Sequence, residues 1–233
     1  MLKSPPNSSV LGIFFYKLNR LLFWQNKKMK LNFLKRPFDV VLSFMGIFLS
    51  MPLWLLFTIL IWLGDRGFIF FKQNRVGKNG RIFKVLKFRS MIVNAEGDQG
   101  PVQAKANDPR VTKIGRILRA TAMDELPQLL NILRGDMSFV GPRALRPEEI
   151  EINGNPSTKS LTDIPGYQER HSIRPGLTGF AQIYLPPDAP RNKKFRFDLH
   201  YIQKQSFYLD LKLVFLSFWI SFRAKWGSSQ KKI

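Results

Sequence analysis

FDVVLSFMGIFLSMPLWLLFTILIWL, residues 38–63, carries a single charge in 26 positions, Asp39 near its start. As a continuous helix at about 1.5 Å per residue it would outrun a hydrocarbon core of about 30 Å. It therefore reads as a membrane segment, either a tilted span or a hairpin that dips in and returns. A buried core helix is disfavoured, because two tryptophans and repeated Leu and Phe leave no polar face. A cleaved leader is disfavoured too: the apolar run behind Lys35 and Arg36 is too long and lacks a small-residue cleavage site.

Charge on the two flanks separates span from hairpin. The first 36 residues hold eight Lys or Arg and no acidic residue, while Arg66 to Arg146 holds sixteen basic and six acidic residues. The positive-inside rule places both flanks on the cytoplasmic side, which one straight span cannot satisfy. Re-entry is the expectation, with the bend at Ser50-Met51-Pro52. Pro52 has no N–H to bond back to Phe48, and the Ser50 hydroxyl is a nearby donor for a freed carbonyl. Two other stretches look interfacial. Residues 10–24 are apolar and aromatic with Lys17 and Arg20 three apart, which suits headgroups but equally a short tail. Residues 207–222, FYLDLKLVFLSFWISF, read as a core helix or an interfacial one.

Composition limits the chemistry. The chain has 233 residues, 37 Lys and Arg against 16 Asp and Glu, a formal charge of +21, two histidines and no cysteine. Disulfides, thiolate nucleophiles and His- or Cys-rich metal sites are excluded, leaving carboxylates, Arg, Lys and hydroxyls. The positive charge favours anionic surfaces or polyanions. Phe83, Lys84, Lys87, Phe88 and Arg89 could form a base-stacking surface, but the long apolar run argues against a nucleic-acid partner.

Strands are expected over 68–72 and 81–88, joined by a turn at Asn79-Gly80, which favours positive φ. Ser90 to Asn107 and residues 185–198 read as loops. Thr121-Ala122-Met123-Asp124 has capping-box spacing ahead of a helix starting near Asp124 or Glu125, with Pro127 in its first turn and Gly135 as its stop. Asp124 and Glu125 are the most suggestive carboxylates. Adjacent residues diverge on a helix, so they serve different neighbours rather than share a proton. Lys84, Lys87, Arg89, Arg116, Arg119, Arg134, Arg143 and Arg146 surround them in sequence. Cations at this density call for phosphate or polyanions, and a carboxylate attacking an anionic phosphate needs such neighbours and a divalent metal. The plain alternative is that both acids merely favour a helix N-terminus.

Four segments carry a resemblance: KRPFD at 35–39, FFKQNRVGKNGRIFKVLKFRSM at 70–91, DPRVTKIGRILRATAMDELPQLLNILRGDMSFVGPR at 108–143 and RPGLTGFAQ at 174–182. In this order they resemble the bacterial sugar transferases, monotopic phosphoglycosyl transferases that begin surface polysaccharide and glycoconjugate assembly. The resemblance implies a mixed α/β cytoplasmic catalytic domain, an N-terminal re-entrant membrane helix hairpin and interfacial amphipathic helices. The expected division is a basic interfacial segment at 1–36, the membrane element at 37–64 and the catalytic domain with a C-terminal amphipathic helix at 65–233. It also implies a ping-pong transfer of sugar 1-phosphate from a UDP-sugar to undecaprenyl phosphate, with release of UMP. Asp124 falls on the family's nucleophile, Glu125 on its Mg²⁺ ligand, and Lys87, Arg119 and Arg143 on residues that face phosphate.

The chain departs from the family in two motifs. Met51 intervenes where Ser-Pro is usually adjacent, and Ala144 follows Gly-Pro-Arg where proline is usual. The four-span domain of larger members is not expected here. Implied partners are the UDP-sugar donor, a UDP-hexose as the wager, the undecaprenyl phosphate acceptor and the cytoplasmic leaflet of the bacterial inner membrane. No nucleic acid is expected, and homo-oligomer formation stays open. A non-enzymatic membrane scaffold is the competing reading.

Overall fold

The computed structural model describes the backbone of residues 10–95, 108–147, 150–151 and 159–226, and side chains over 33–95, 108–147 and 161–226. The chain begins with α1 (Val10–Gly64), which contains both Pro37 and Pro52 and runs through the expected border at 36/37. Its stretch from Phe33 to Gly64 is the one helix among the described residues long and apolar enough to cross a membrane. Pro52 lies inside the helix without ending it. The Ser50 hydroxyl donates to the Ile47 carbonyl (3.4 Å), one residue before the Phe48 carbonyl expected to need it, and accepts from Trp54 Nε1 at 3.0 Å. Side chains of 10–24 lie outside the described residues, as do positions 96–107 of the expected loop.

The domain that follows is mixed α/β. Strands β1 (Phe70–Val76) and β2 (Ile82–Phe88) form an antiparallel hairpin. Its turn is a short 3₁₀ segment in which Asn79 (φ 56°) and Gly80 (φ 78°) take the expected left-handed conformation. Then come α2 (Lys113–Thr121), α3 (Gln128–Arg134), β3 (Ser138–Val140), β4 (Ile150–Glu151) and β5 (Lys159–Ser160). The chain closes with α4 (Tyr167–Arg170), β6 (Gly176–Thr178), α5 (Phe180–Tyr184), α6 (Arg191–Lys204) and α7 (Phe207–Phe222). β3 pairs with β6 in parallel, and β4 pairs with β5 antiparallel. Two expectations change. Only 185–190 is loop, because Pro190, fixed in φ, opens α6. α7 joins the core on one side, where Leu213, Val214 and Ile220 are buried, while Phe215, Phe218, Trp219 and Phe222 stay exposed.

The hairpin has two faces, as period-two alternation requires. Phe70 and Phe88 stack at 5.4 Å between ring centres and meet Trp54 and Phe57 of α1. The register places Phe71 opposite Lys87, Gln73 opposite Val85 and Arg75 opposite Phe83 on the other face. One hairpin thus grips the apolar helix on one side and presents cations on the other.

The apolar helix lies on the domain along its length. At its start Lys35 Nζ donates to Asp210 (2.6 Å), Tyr201 (3.2 Å) and the Val140 carbonyl (3.0 Å). Arg36 donates to the Ile132 and Leu133 carbonyls, the last turn of α3. Asp39 accepts from the Phe139 amide and the Ser138 hydroxyl. Midway, Gly46 faces Leu129 so closely that a Cβ there would sit 3.1 Å from a Leu129 methyl. Further on, Phe57 and Ile61 join Phe88 and Leu118 in a buried cluster, and Arg89 donates to the Asp65 carbonyl. The flanking cations Lys35, Arg36 and Arg89 therefore hold the domain rather than merely marking topology.

Candidate active site

Asp124 and Glu125 sit between two helices rather than at the start of one. Thr112 caps α2 by accepting from the Gly115 amide, and Ala122, left-handed at φ 57°, ends α2. Met123–Glu125 then form one 3₁₀ turn before α3 begins at Gln128. The capping box is thus absent: Thr121 bonds back to the Ile117 and Leu118 carbonyls. Neither acid caps α3, whose N-cap position is Pro127, although both lie in the 3₁₀ turn just ahead of it. Gly135 stops α3 with φ 92°, as expected.

The turn is held in place from both sides. Asn131 of α3, fully buried, imitates a strand residue: its side chain accepts from the Leu86 amide (3.0 Å) and donates to the Lys84 carbonyl (2.8 Å). This fixes α3 against β2 and brings Glu125 to Lys87, where Lys87 Nζ donates to Glu125 Oε1 at 2.5 Å. Arg143 approaches the same oxygen at 3.4 Å. Arg143 comes from the loop after β3, which the β3–β6 pair packs against Arg174-Pro175-Gly176. A Cβ at Gly176 would lie 2.1 Å from the Gly141 amide nitrogen, so only glycine fits there.

Lys87, Glu125 and Arg143 thus meet in a cleft also lined by Arg75, Val85, Gln128, Met137, Ala144 and Gly176. Arg119 stands apart from this group. Its Nε donates to the Ser90 hydroxyl at 2.9 Å, and it bears on Asp124 through charge rather than a hydrogen bond. Lys84, Arg116 and Arg134 point to solvent and line no part of the cleft. Arg75 and Gln128 are lining residues that the motifs alone do not mark. For Arg75 the signal is the strand alternation that puts it on the Lys87 face; Gln128 has none beyond its place after the dyad.

The two acids experience opposite environments. Asp124 is buried, and among the described residues nothing donates a hydrogen bond to its carboxylate. Burial pushes its pKa up from 3.8 to about 6; the Glu125 charge adds to this, while Lys87, Arg119 and Arg143 oppose it. For Glu125 burial also acts upward, but Lys87 and Arg143 overcome it and bring the value down from 4.5 to about 2. One acid is therefore an unengaged carboxylate poised near neutrality. The other is a committed anion tied to two cations. Pairs pushed apart in this way are characteristic of sites that divide chemical roles.

With this geometry the family question has an answer: the sequence profile of the bacterial sugar transferases matches residues 30–224. The chain belongs to the bacterial sugar transferase family. It is 41% identical over 189 residues to the UDP-glucose:undecaprenyl-phosphate glucose-1-phosphate transferase of Escherichia coli (strain K12), covering 79% of this chain and 39% of that one. It is 42% identical over 188 residues to the exopolysaccharide production protein PSS of Rhizobium leguminosarum bv. phaseoli, covering 78% and 92%. A third relative, at 39% over 191 residues, is the UDP-N-acetylgalactosamine-undecaprenyl-phosphate N-acetylgalactosaminephosphotransferase of Aeromonas hydrophila, covering 78% and 42%. The chain spans about two fifths of the Escherichia and Aeromonas proteins and nine tenths of the Rhizobium protein.

Proposed function

We propose that this sugar transferase moves a sugar 1-phosphate from a UDP-sugar to undecaprenyl phosphate in two steps through Asp124, initiating a surface polysaccharide or glycoconjugate. In the first step an Asp124 oxygen attacks the phosphorus that bears the sugar, the bond to the UMP oxygen breaks, and UMP leaves. In the second an oxygen of undecaprenyl phosphate attacks that phosphorus and Asp124 departs as a carboxylate. The observation that carries this reading is the contrast between the two acids: Asp124 buried, unengaged and lifted to about 6, Glu125 tied to Lys87 and Arg143. Near neutral pH Asp124 is ionised yet more basic than an ordinary aspartate, which favours attack. Lys87, Arg143 and Arg75 line the cleft and suit the diphosphate, where positioned cations act on charge that develops during transfer.

Mg²⁺ belongs to this proposal. Among the described residues no cluster of three acidic or histidine side chains could form a protein cage for a metal. Two carboxylates in one turn nevertheless suit Mg²⁺, which commonly takes one or two carboxylates and completes its shell with phosphates and water. Glu125, whose Oε1 is the oxygen used by both cations, is the protein group that would hold it, and the ion would neutralise phosphate charge.

The clamps on α1, a helix unbroken at Pro52, bear on how it meets a membrane. Asp39 and Phe57 are 18 residues apart, about 27 Å of helix, close to the hydrocarbon thickness of about 30 Å. Both ends are bound to one domain, so a transverse span would place that domain on both sides of the bilayer. This supports re-entry, with the exposed Phe44, Phe48, Leu55 and Leu56 in one leaflet and the site facing the cytoplasm. Names of the relatives bring glucose and N-acetylgalactosamine to mind as donor sugars, and a UDP-hexose remains the wager. Purified protein given undecaprenyl phosphate and a panel of UDP-sugars should release UMP with one or more of them. Release of UDP instead would contradict phosphosugar transfer.

A further inference from the structure

Four successive carbonyls around Arg143 each have a fixed donor. Pro142 O accepts from the Gly176 amide (2.9 Å) and Leu145 O from the Val76 amide (2.8 Å). The middle two are held by guanidinium groups: Arg170 donates to Arg143 O (2.9 Å) and Arg75 to Ala144 O (3.0 Å). Arg170 is 2% exposed and lies outside the cleft, so it cannot touch a diphosphate there. Its charge is matched by Asp198 of α6, which accepts from Nε at 3.2 Å and from the terminal nitrogen at 2.9 Å. The guanidinium also lies over the Phe195 ring at 4.6 Å.

The neighbouring His171 completes the arrangement. Burial, and then the Arg170 charge, hold its pKa down at about 4, so the ring is neutral at working pH. With Nδ1–H donated to the Tyr167 carbonyl (2.6 Å), Nε2 is free to accept from Arg170 at 3.3 Å. Arg170 therefore spends its fork on Asp198, His171 and one backbone oxygen, that of Arg143. A buried ion pair is a costly feature, and replacing it by apolar residues is often neutral for stability. Here the pair does something an apolar pair could not: it donates to the backbone of a cation that is itself half exposed, with 47% of its side chain open to solvent.

We propose that Arg170, neutralised by Asp198, is a positioning residue for Arg143: it fixes the backbone from which the Arg143 side chain reaches the donor diphosphate. The role depends on the assignment of Arg143 to phosphate made above. It also accounts for the tolerance of Ala144. A loop gripped at every carbonyl from Pro142 to Leu145 does not need proline to hold its shape.

The test uses full-length D124N protein in detergent and binding of UDP, so that turnover is not required. Arg170→Lys keeps the charge but loses the fork. It should weaken UDP binding about tenfold, about 1.4 kcal/mol. R143A should weaken binding at least as much, and R143A/R170K should bind no worse than R143A alone. Amide exchange over 141–145 should accelerate in R170K while that of β1 and β2 stays unchanged, separating positioning from general loosening. D198N should reproduce the exchange effect in the same loop. Multiplicative losses in the double variant would overturn the proposal, and so would unchanged exchange over 141–145. If wild-type and D124N proteins bind no UDP, the donor assignment fails, and the exchange experiment alone then decides whether Arg170 positions the loop.

Discussion

Replacing each of the two adjacent acids by its amide should move stability in opposite directions. Asp124→Asn removes a carboxylate whose folded pKa is raised from 3.8 to about 6. For such a group the favourable contribution is present below the unfolded value and is lost as pH rises through about 6, leaving a penalty at pH 7.5. The shift corresponds to at most about 3 kcal/mol, so D124N should gain up to that amount at pH 7.5, and the gain should vanish as pH falls below 3.8. Glu125→Gln removes a carboxylate whose folded pKa is lowered from 4.5 to about 2. Its contribution is present above the unfolded value and lost as pH falls toward 2, so E125Q should lose stability at neutral pH, by at most about 3 kcal/mol. The assay is thermal unfolding in detergent with EDTA at pH 7.5 and pH 4.5. For a chain of this size the expected Tm changes at pH 7.5 are on the order of 5–10 °C, upward for D124N and downward for E125Q. At pH 4.5 the D124N gain should shrink. Changes of the same sign at pH 7.5, or a D124N gain that persists unchanged at low pH, would refute the assignment of burial as the dominant influence on Asp124.

Three other outcomes follow from the same structure. The rate of UMP release should rise with pH through a midpoint near 6, and in any E125Q protein retaining activity that midpoint should fall, because the Glu125 charge helps raise Asp124; an unshifted midpoint would separate the two acids. E125Q activity should drop at least about 100-fold at limiting Mg²⁺, measured as UMP release, and a near-normal rate would leave Glu125 a purely structural anion. Lys35→Met strands Asp210 in the core without its cation and should cost about 3–5 kcal/mol in chemical unfolding, with K35M/D210N recovering part of the loss; a K35M change below 1 kcal/mol would mean the clamp on α1 is not energetically important.

Much of this organisation is legible in the residues. The apolar run, the Asn79-Gly80 hairpin, the Gly135 stop and the bounds of α7 all follow from local patterns, because each depends on hydropathy or on one residue's φ. The start of α3 does not. Thr121 can bond its own helix as readily as cap the next, and the left-handed Ala122 that decides the matter has no signal in its residue type. At the site, Lys87, Glu125 and Arg143 come together because their motifs are neighbours across β2, α3 and β3. Arg119 is drawn aside by Ser90, 29 positions earlier in sequence. Long-range partners of this kind, like Asn131 on the edge of β2 or Arg170 on the Arg143 carbonyl, carry no local pattern. Lys35 and Arg36 show the converse: flanking charges that suit the positive-inside rule are committed to Asp210 and to the end of α3.

Placement of α1 and the chemistry at Asp124 are separable, and labelling addresses the first. The native chain has no cysteine, so single cysteines at the exposed Phe33 and Phe68, which flank the apolar stretch, can be labelled from either side of oriented vesicles. Re-entry predicts labelling of both from the cytoplasmic side, and opposite labelling would establish a span.

The most direct measurement on the chemistry is the mass of the protein after incubation with a UDP-sugar and no acceptor. The wild-type chain should gain one phosphosugar on the peptide containing Asp124, release UMP in step with it, and lose the adduct when undecaprenyl phosphate is added; D124N should gain nothing. An adduct that repeatedly maps to another residue, or a D124N protein that transfers at the wild-type rate, would contradict an aspartyl intermediate and favour direct attack by the acceptor phosphate.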